Sequence, residues 1–236
     1  MSEWEPASAP PGAPDPGLKG VSSIREPTRA ERALGRRSAE TRATVPDLEL
    51  GIEADAEPGL AAAAAAGCSF TAVLVRACAA ALREHPRANG AYRDGHFELH
   101  SRVNVAVTVA TDDAYLAPTV LDADTRSLVE LDAELDRLSA LAGAGELTAA
   151  SLAGSTFTLT DLGPQGVHEG SAFITPPQAA ALTAGALRSV PVVRDGAIEP
   201  GHVVTLTLAA DARILFGAAA SRFLVAVVRA LESDRP

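Results

Sequence analysis

The chain has 236 residues, 47% of them hydrophobic, which suits one domain with a single large core. Its formal net charge of −10, from 30 acidic and 20 basic side chains, excludes nonspecific nucleic-acid binding, which requires a basic surface. No apolar run reaches the roughly 18 residues that cross a bilayer, and the N-terminus lacks the pattern of a secretory signal. We therefore expect a cytoplasmic protein that binds neither nucleic acid nor membrane.

Cysteine and histidine spacing bears on redox state and metal binding. Cys68 and Cys78 are separated by roughly 15 Å along or beside one predicted helix, a distance that a disulfide cannot bridge. This spacing indicates reduced thiols. The five histidines are scattered, so the sequence predicts no metal site.

The N-terminal segment differs in composition from the rest of the chain. Residues 1–20 contain five prolines and three glycines and cannot form a core, so we predict a disordered tail followed by one domain over residues 21–236. Arginines alternate with glutamates from Arg25 to Arg42, which predicts a solvated helix.

Hydrophobic periodicity and turn residues predict the remaining elements in chain order. The first half holds a strand, two helices, a hairpin with an Asp94-Gly95 turn, and a strand: 48–52, 60–66, 70–85, 92–97 and 103–109. The second half begins with a leucine-striped helix from Leu128 to Leu141. Three strands, a glycine-bearing loop and a helix follow: 155–160, 161–170, 179–187, 203–209 and 218–231, with a hairpin turn at Asp195-Gly196. Because there is no regular βαβ rhythm, the pattern predicts an α+β fold with a mixed sheet.

A short sequence marks the corner between the last strand and the last helix. Asp211-Ala212-Arg213-Ile214-Leu215-Phe216-Gly217 resembles the Asp-His-Arg-x-x-Asp-Gly signature of the acyltransferase (E2) catalytic domain of 2-oxo acid dehydrogenase complexes. In that family the histidine is the general base, and the later Asp or Asn supports the site. The resemblance therefore places the base at Ala212 and its support at Phe216, with Asp211, Arg213 and Gly217 holding the turn.

A second segment resembles another part of the same family. Thr156-Phe157-Thr158-Leu159-Thr160-Asp161-Leu162-Gly163 is similar to the family's Thr-Phe-Thr-[Ile/Leu]-[Ser/Thr]-[Asn/Ser]-Leu-Gly motif. By position, Thr160 is the hydroxyl that stabilises the tetrahedral intermediate. Without the resemblance, Thr160 reads as an ordinary threonine at the end of a strand.

Further matches extend the resemblance over roughly residues 28–232. Ile174-Thr175-Pro176-Pro177-Gln178 is similar to the family's Ile-x-Pro-Pro-Gln, and Gly185-Ala186 to its Val-Gly-Ala. The resemblance implies a chloramphenicol acetyltransferase-like sandwich, in which helices flank a mixed β-sheet. It also implies a homotrimer with sites between subunits, and acyl-CoA as a cosubstrate without a covalently bound cofactor.

The residues at positions 212 and 216 depart from the family pattern and leave three explanations open. Ala212 is an artificial replacement of the histidine of an active enzyme, or both positions diverged naturally in a pseudoenzyme, or another residue acts as the base. Alanine can neither accept nor donate a side-chain proton, so the chain as written is expected to have lost most of its activity. Phe216 favours natural divergence, because removing a base requires no change there.

The resemblance also suggests a function. Neither the lipoyl domain nor the subunit-binding domain of E2 subunits is recognisable, so we expect the acyl donor to be soluble acyl-CoA or a carrier protein. The acceptor is then expected to be a small-molecule hydroxyl, as for stand-alone acyltransferases of natural-product (tetronate-like) pathways. The alternative is a noncatalytic scaffold or binding subunit.

Overall fold

The computed structural model describes residues 22–110 and 115–233, so the tail predicted over residues 1–20 lies outside the described residues. Within this part, the chain forms five α-helices: α1 (Arg29–Thr44), α2 (Glu57–Ala66), α3 (Phe70–Glu84), α4 (Leu128–Gly143) and α5 (Ala218–Leu231). The strands of its first half are β1 (Asp47–Asp55), β2 (Gly90–Arg93), β3 (His96–Leu99), β4 (Val105–Val107), β5 (Val109–Ala110), β6 (Tyr115–Leu116) and β7 (Thr119–Val120). The remaining strands are β8 (Phe157–Asp161), β9 (Ala180–Ala184), β10 (Arg188–Arg194) and β11 (Ala197–Asp211).

Local sequence sets where the helices begin. Thr28 and Glu31 form a capping box at the start of α1, and Ser127 with Glu130 repeats it at α4. In each case the hydroxyl and the carboxylate bond backbone amides that the first turn leaves without partners. Each cap fixes the first turn of its own helix. Of the two helices, α1 contributes residues to the cavity described below.

The main sheet is mixed, as the sequence predicts. Its strands lie in the order β1-β11-β9-β8-β4-β7, and β10 pairs with the first half of β11. The pairs β9-β8 and β8-β4 are parallel, and the others are antiparallel. Helices flank this sheet, so the expected α+β, sandwich-type architecture is confirmed.

Strand periodicity gives the two faces of the sheet different chemistry. Leu159, Leu182 and Leu208 stand opposite one another in register and are fully buried in the main core with α3 and α5. The next position along each strand forms a row of threonines: Thr160, Thr183 and Thr207. Because successive side chains point to opposite faces, this row lies on the other face. A smaller cluster of buried apolar residues lies on that second face.

Most predicted elements match the structure, and the differences have local causes. The boundaries of α5 and the Asp94-Gly95 and Asp195-Gly196 turns are confirmed; in both turns, each residue has a positive φ. The continuous strand predicted over residues 103–109 is wrong. It divides because β4 pairs with β7 and β8, whereas β5 leaves that sheet to pair with β6.

The strand predicted over 179–187 ends early, at Ala184, where two backbone segments approach closely. A Cβ added to Gly185 would lie 1.9 Å from the carbonyl oxygen of His168, so only glycine fits there. Hydrogen bonds reinforce this approach: the amide of Ala186 donates to Val167 (2.7 Å) and that of Leu162 to Ala184 (2.8 Å). Backbone hydrogen bonds therefore hold the 161–170 loop against the end of β9.

Two further expectations concern membranes and metals. In the described ranges, no individual helix has the length and apolar content to cross a bilayer, although α2 and α3 meet that criterion as a pair bent by 113°. The same ranges contain no group of three potential metal-binding side chains.

Candidate active site

Thr160 lies near the end of β8, between two parallel neighbours. Phe157 and Leu159 alternate with Thr158 and Thr160 along the strand, and the apolar pair is fully buried in the main core. The alternation turns both threonines to the second face of the sheet. The strand therefore presents Thr160 away from the core, and its side chain lines a cavity.

The hydroxyl of Thr160 is held by another hydroxyl. The Oγ1 atom of Thr108 lies 2.7 Å from Oγ1 of Thr160 and 3.0 Å from the carbonyl oxygen of Leu159, within hydrogen-bond distance of both. A hydroxyl can accept one hydrogen bond and donate another, so Thr160 can accept from Thr108 while its own proton is donated into the cavity. A hydroxyl held with its proton free is suited to stabilise an oxyanion.

A buried side-chain bridge supports the wall beside Thr160. The Thr158 hydroxyl donates to Oε1 of Gln178 (2.7 Å), and Nε2 of Gln178 donates to Ser155 (2.9 Å). Gln178 is the glutamine of the Pro-Pro-Gln segment, which sequence reasoning matched to the family without assigning a role. Glutamine can serve as acceptor and donor at once, which explains that residue type at this position.

The cavity at Thr160 is open and has a volume of about 450 Å³. Thr158 and Thr160 supply hydroxyls from β8, and Thr108 supplies one from the link between β4 and β5. Leu34 and Phe173 supply apolar surface from α1 and the 171–175 segment. Arg37 of α1 contributes a cation to the rim. A volume of this size, mostly apolar with a few polar groups, suits a small organic ligand.

The corner from Asp211 to Gly217 is built around an ion pair. Asp211 is 2% exposed and accepts hydrogen bonds from Nε (2.9 Å) and Nη2 (2.7 Å) of Arg213. These bonds raise the pKa of the Arg213 guanidinium above its ordinary value. The guanidinium also stacks 4.7 Å from the ring centre of Tyr92. The two signature residues retained here thus fix the turn.

Ala212 and Phe216 occupy the two signature positions that depart from the family pattern. The backbone amide of Ala212 donates to the carbonyl of Pro46 over 2.9 Å, which fixes the chain where a base would stand. Phe216 is 66% exposed, although it is large and apolar. Gly217 follows with a positive φ of 53° and ψ of −121°, a conformation that favours glycine, and α5 begins after it.

One chain does not bring Thr160 and Ala212 together. Thr160 stands two strands away from Thr207 in register, and Ala212 lies five residues beyond Thr207. Strand spacing and rise then separate the two residues by roughly 15–20 Å. Ala212 is also not among the residues that line the Thr160 cavity.

An alternative base would need to reach the same cavity. In the part of the chain that the structure describes, the cavity lining includes no histidine, aspartate or glutamate. His202 does bond a carboxylate, with Nδ1 2.8 Å from Glu57, but neither residue lines the cavity. Among the residues that the structure describes, a single copy of the chain therefore offers no replacement base in this cavity.

Comparisons with known proteins agree with this architecture. A curated relative from Rickettsia bellii, the dihydrolipoyllysine-residue acetyltransferase component of a pyruvate dehydrogenase complex, is 29% identical over 86% of this chain. The lipoamide acyltransferase component of a branched-chain alpha-keto acid dehydrogenase complex from Bacillus subtilis is 33% identical over 70% of it. The match covers 51% of the first relative and 39% of the second, so the chain spans about half or less of their length.

Solved structures give the same result. A dihydrolipoamide acetyltransferase from Azotobacter vinelandii, solved to examine a serine, a histidine and an asparagine in its catalytic mechanism, superposes with a TM-score of 0.85. It is 27% identical, and the match covers 95% of this chain and 97% of that one. A chloramphenicol acetyltransferase shares the fold at a TM-score of 0.52 and 15% identity, over 84% of this chain and 92% of its own.

The profile of the 2-oxoacid dehydrogenases acyltransferase family (catalytic domain) matches residues 49–235. This match covers both the Thr160 wall and the Asp211–Gly217 corner. The chain belongs to the acyltransferase family that forms the catalytic domain of the 2-oxoacid dehydrogenases.

Proposed function

We propose that this chain forms a homotrimeric domain that binds acyl-CoA and retains only the thioester-activating half of an acyltransferase site. The observation that carries the proposal is the Thr160 hydroxyl, which lines a cavity and lies 2.7 Å from the Thr108 hydroxyl. In this arrangement Thr160 donates a hydrogen bond to the thioester oxygen as negative charge develops there.

The reaction also needs a base. The acceptor oxygen forms a bond to the thioester carbonyl while its proton leaves, and collapse of the intermediate breaks the carbon–sulfur bond and releases CoA as a thiol. In the family the histidine carries that proton, and Ala212 has no group to do so. The missing base lowers the rate by about 10²- to 10⁴-fold, which corresponds to roughly 3–5 kcal/mol of barrier.

The proposed trimer brings the two halves of the site together. The corner of one subunit faces the Thr160 cavity of the next, which removes the roughly 15–20 Å separation within a chain. The exposed Phe216 then becomes covered at this interface, where large apolar side chains are favoured. A chain from the cubic core of a pyruvate dehydrogenase multienzyme complex superposes on this chain with a TM-score of 0.85. This likeness to a chain that assembles supports an oligomer as the proposed state.

The acceptor that we propose is a small-molecule hydroxyl, as in natural-product biosynthesis, and the acyl group is acetyl or of similar size. The hydroxyl-lined and apolar wall around Thr160 is suited to such a pair of substrates. Dihydrolipoamide is the second acceptor to test, because curated relatives are named dihydrolipoyllysine-residue acetyltransferases.

Two measurements test the proposed function. Calorimetry should detect acetyl-CoA binding by the chain as it stands. Ala212→His should then raise acetyl transfer by about 10²- to 10⁴-fold, and a double variant with Phe216→Asn tests whether the base also needs its partner. Ala212→Gln is the matched control, because it adds a polar side chain without a base. Absence of both CoA binding and restored turnover would contradict the proposal.

The second candidate is a pseudoenzyme that serves as a scaffold. Ala212 and Phe216 both depart from the signature, whereas the Asp211–Arg213 pair that holds the turn is intact. This pattern is what selection for assembly without catalysis would leave. A trimer that forms in solution but binds no acyl-CoA, with or without Ala212→His, would favour the scaffold.

A further inference from the structure

A second cavity of about 370 Å³ lies between the end of α3 and the first turns of α5. Its lining includes His85, Arg87 and Arg222, and it shares no residue with the Thr160 cavity. Two arginines therefore line one cleft of a chain whose formal net charge is −10. The cleft therefore forms a local positive region on an acidic protein.

The two arginines of this cleft differ from most others in the molecule. Ten other arginines form ion pairs with carboxylates. Among the described residues, neither Arg87 nor Arg222 does so. Arg87 instead stacks 5.1 Å from the ring centre of Phe97, which orients its guanidinium and leaves its donors available.

The remaining charges at the cleft are nearly balanced. Glu84 lines the cavity, but it is neutralised by an ion pair with Arg229 on α5. The partial negative charge at the end of α3 is opposed by the partial positive charge at the start of α5, which has no side-chain cap. The positive charges of Arg87 and Arg222 therefore dominate.

We propose that this cleft binds the phosphate group of a small anionic ligand. The planar guanidinium groups of Arg87 and Arg222 can each donate two hydrogen bonds to phosphate oxygens. His85 packs edge-on against Phe223, with ring centres 6.0 Å apart, which fixes the imidazole at the wall of the cleft. Within one subunit the cleft shares no residue with the Thr160 cavity, and phosphate binding there does not depend on the proposed transfer activity.

Calorimetric titration of the full chain at low salt tests this proposal, with inorganic pyrophosphate and 3′,5′-ADP as separate probes. Arg87→Gln with Arg222→Gln should weaken pyrophosphate binding by at least about tenfold, because charge-assisted hydrogen bonds are lost. Arg76→Gln is the control, since Arg76 lies on α3 and lines neither cavity. Circular dichroism verifies that each variant is folded.

The outcomes separate specific binding from general attraction. Binding by the wild type that falls in the double variant but not in Arg76→Gln supports the site. Tighter binding of 3′,5′-ADP than of pyrophosphate would identify a nucleotide as the source of the phosphate, and the reverse a free phosphate compound. No binding by the wild type, or an equal loss in the control, overturns the proposal. Thr160→Val should leave pyrophosphate binding unchanged, which distinguishes this test from that of the proposed function.

Discussion

The wall around Thr160 and the corner from Asp211 to Gly217 both resemble motifs of the family, but each retains a different part of its motif. The wall keeps the Thr160 hydroxyl together with the side chains around it, Thr108 beside it and Gln178 bonded to Thr158. The corner keeps its ion pair and its glycine, while Ala212 supplies no proton acceptor. The difference teaches that the structure of this turn is separable from the chemistry of position 212. The Asp211–Arg213 ion pair holds the turn, and it does not involve the side chain at position 212.

The largest effect should come from removing the hydroxyl on the intact side. In an Ala212→His background, Thr160→Val should lower acyl transfer by about 10²- to 10³-fold, because one oxyanion donor is lost at constant shape. Single-turnover assays with acetyl-CoA measure this rate. Thr183→Val is the control, since Thr183 stands beside Thr160 on β9 but does not line the cavity. Equal rates for Thr160→Val and its parent would show that the wall has no chemical role.

The next effect concerns the corner and is one of stability. Asp211→Asn should lower the free energy of unfolding by about 2–3 kcal/mol, because charge-assisted hydrogen bonds from Arg213 are lost at a buried site. Urea denaturation measures the change. Asp122→Asn is the matched control: that carboxylate pairs with Arg102 at the surface, where solvent screens the charges and the expected loss is much smaller. Similar losses in the free energy of unfolding for both variants would mean that the Asp211–Arg213 pair stabilises the fold no more than a surface ion pair does.

The smallest effect tests whether Thr108 positions Thr160. In the Ala212→His background, Thr108→Val should lower kcat by about tenfold with little change in KM, because the Thr160 hydroxyl loses its fixed orientation while the cavity keeps its shape. Thr108→Ser keeps the hydroxyl and should restore most of the rate. A rise in KM with kcat unchanged would assign Thr108 to substrate binding instead.

Much of the fold could be predicted from sequence, because local rules dominate in its regular elements. The limits of α5 follow from its apolar stripe and the preceding Gly217, and both Asp-Gly turns follow from residues that tolerate positive φ. The division between β4 and β5 could not be predicted, because it depends on pairing with distant β7 and β8. Periodicity alone contains no information about partners far along the chain.

The candidate site shows the same limit. The resemblance supplied Thr160 and Ala212, but the supporting contacts arise from tertiary structure. Thr108 is 52 residues from Thr160 and Gln178 is 20 residues from Thr158, and both meet their partners only because the strands align. The Arg87 and Arg222 cleft was also missed, since two arginines so far apart in sequence give no recognisable spacing.

The close approach of Gly185 to His168 has a consequence for how ligands enter. There is no space for even a methyl group between Gly185 and His168, and backbone hydrogen bonds join the two segments on either side of this contact. The 161–170 segment is therefore expected to move together with the end of β9. It therefore behaves as part of the rigid scaffold and not as a swinging gate. The residues that line the Thr160 cavity lie outside this segment, so the width of its opening depends on other parts of the chain, among them α1 and the segment that carries Phe173.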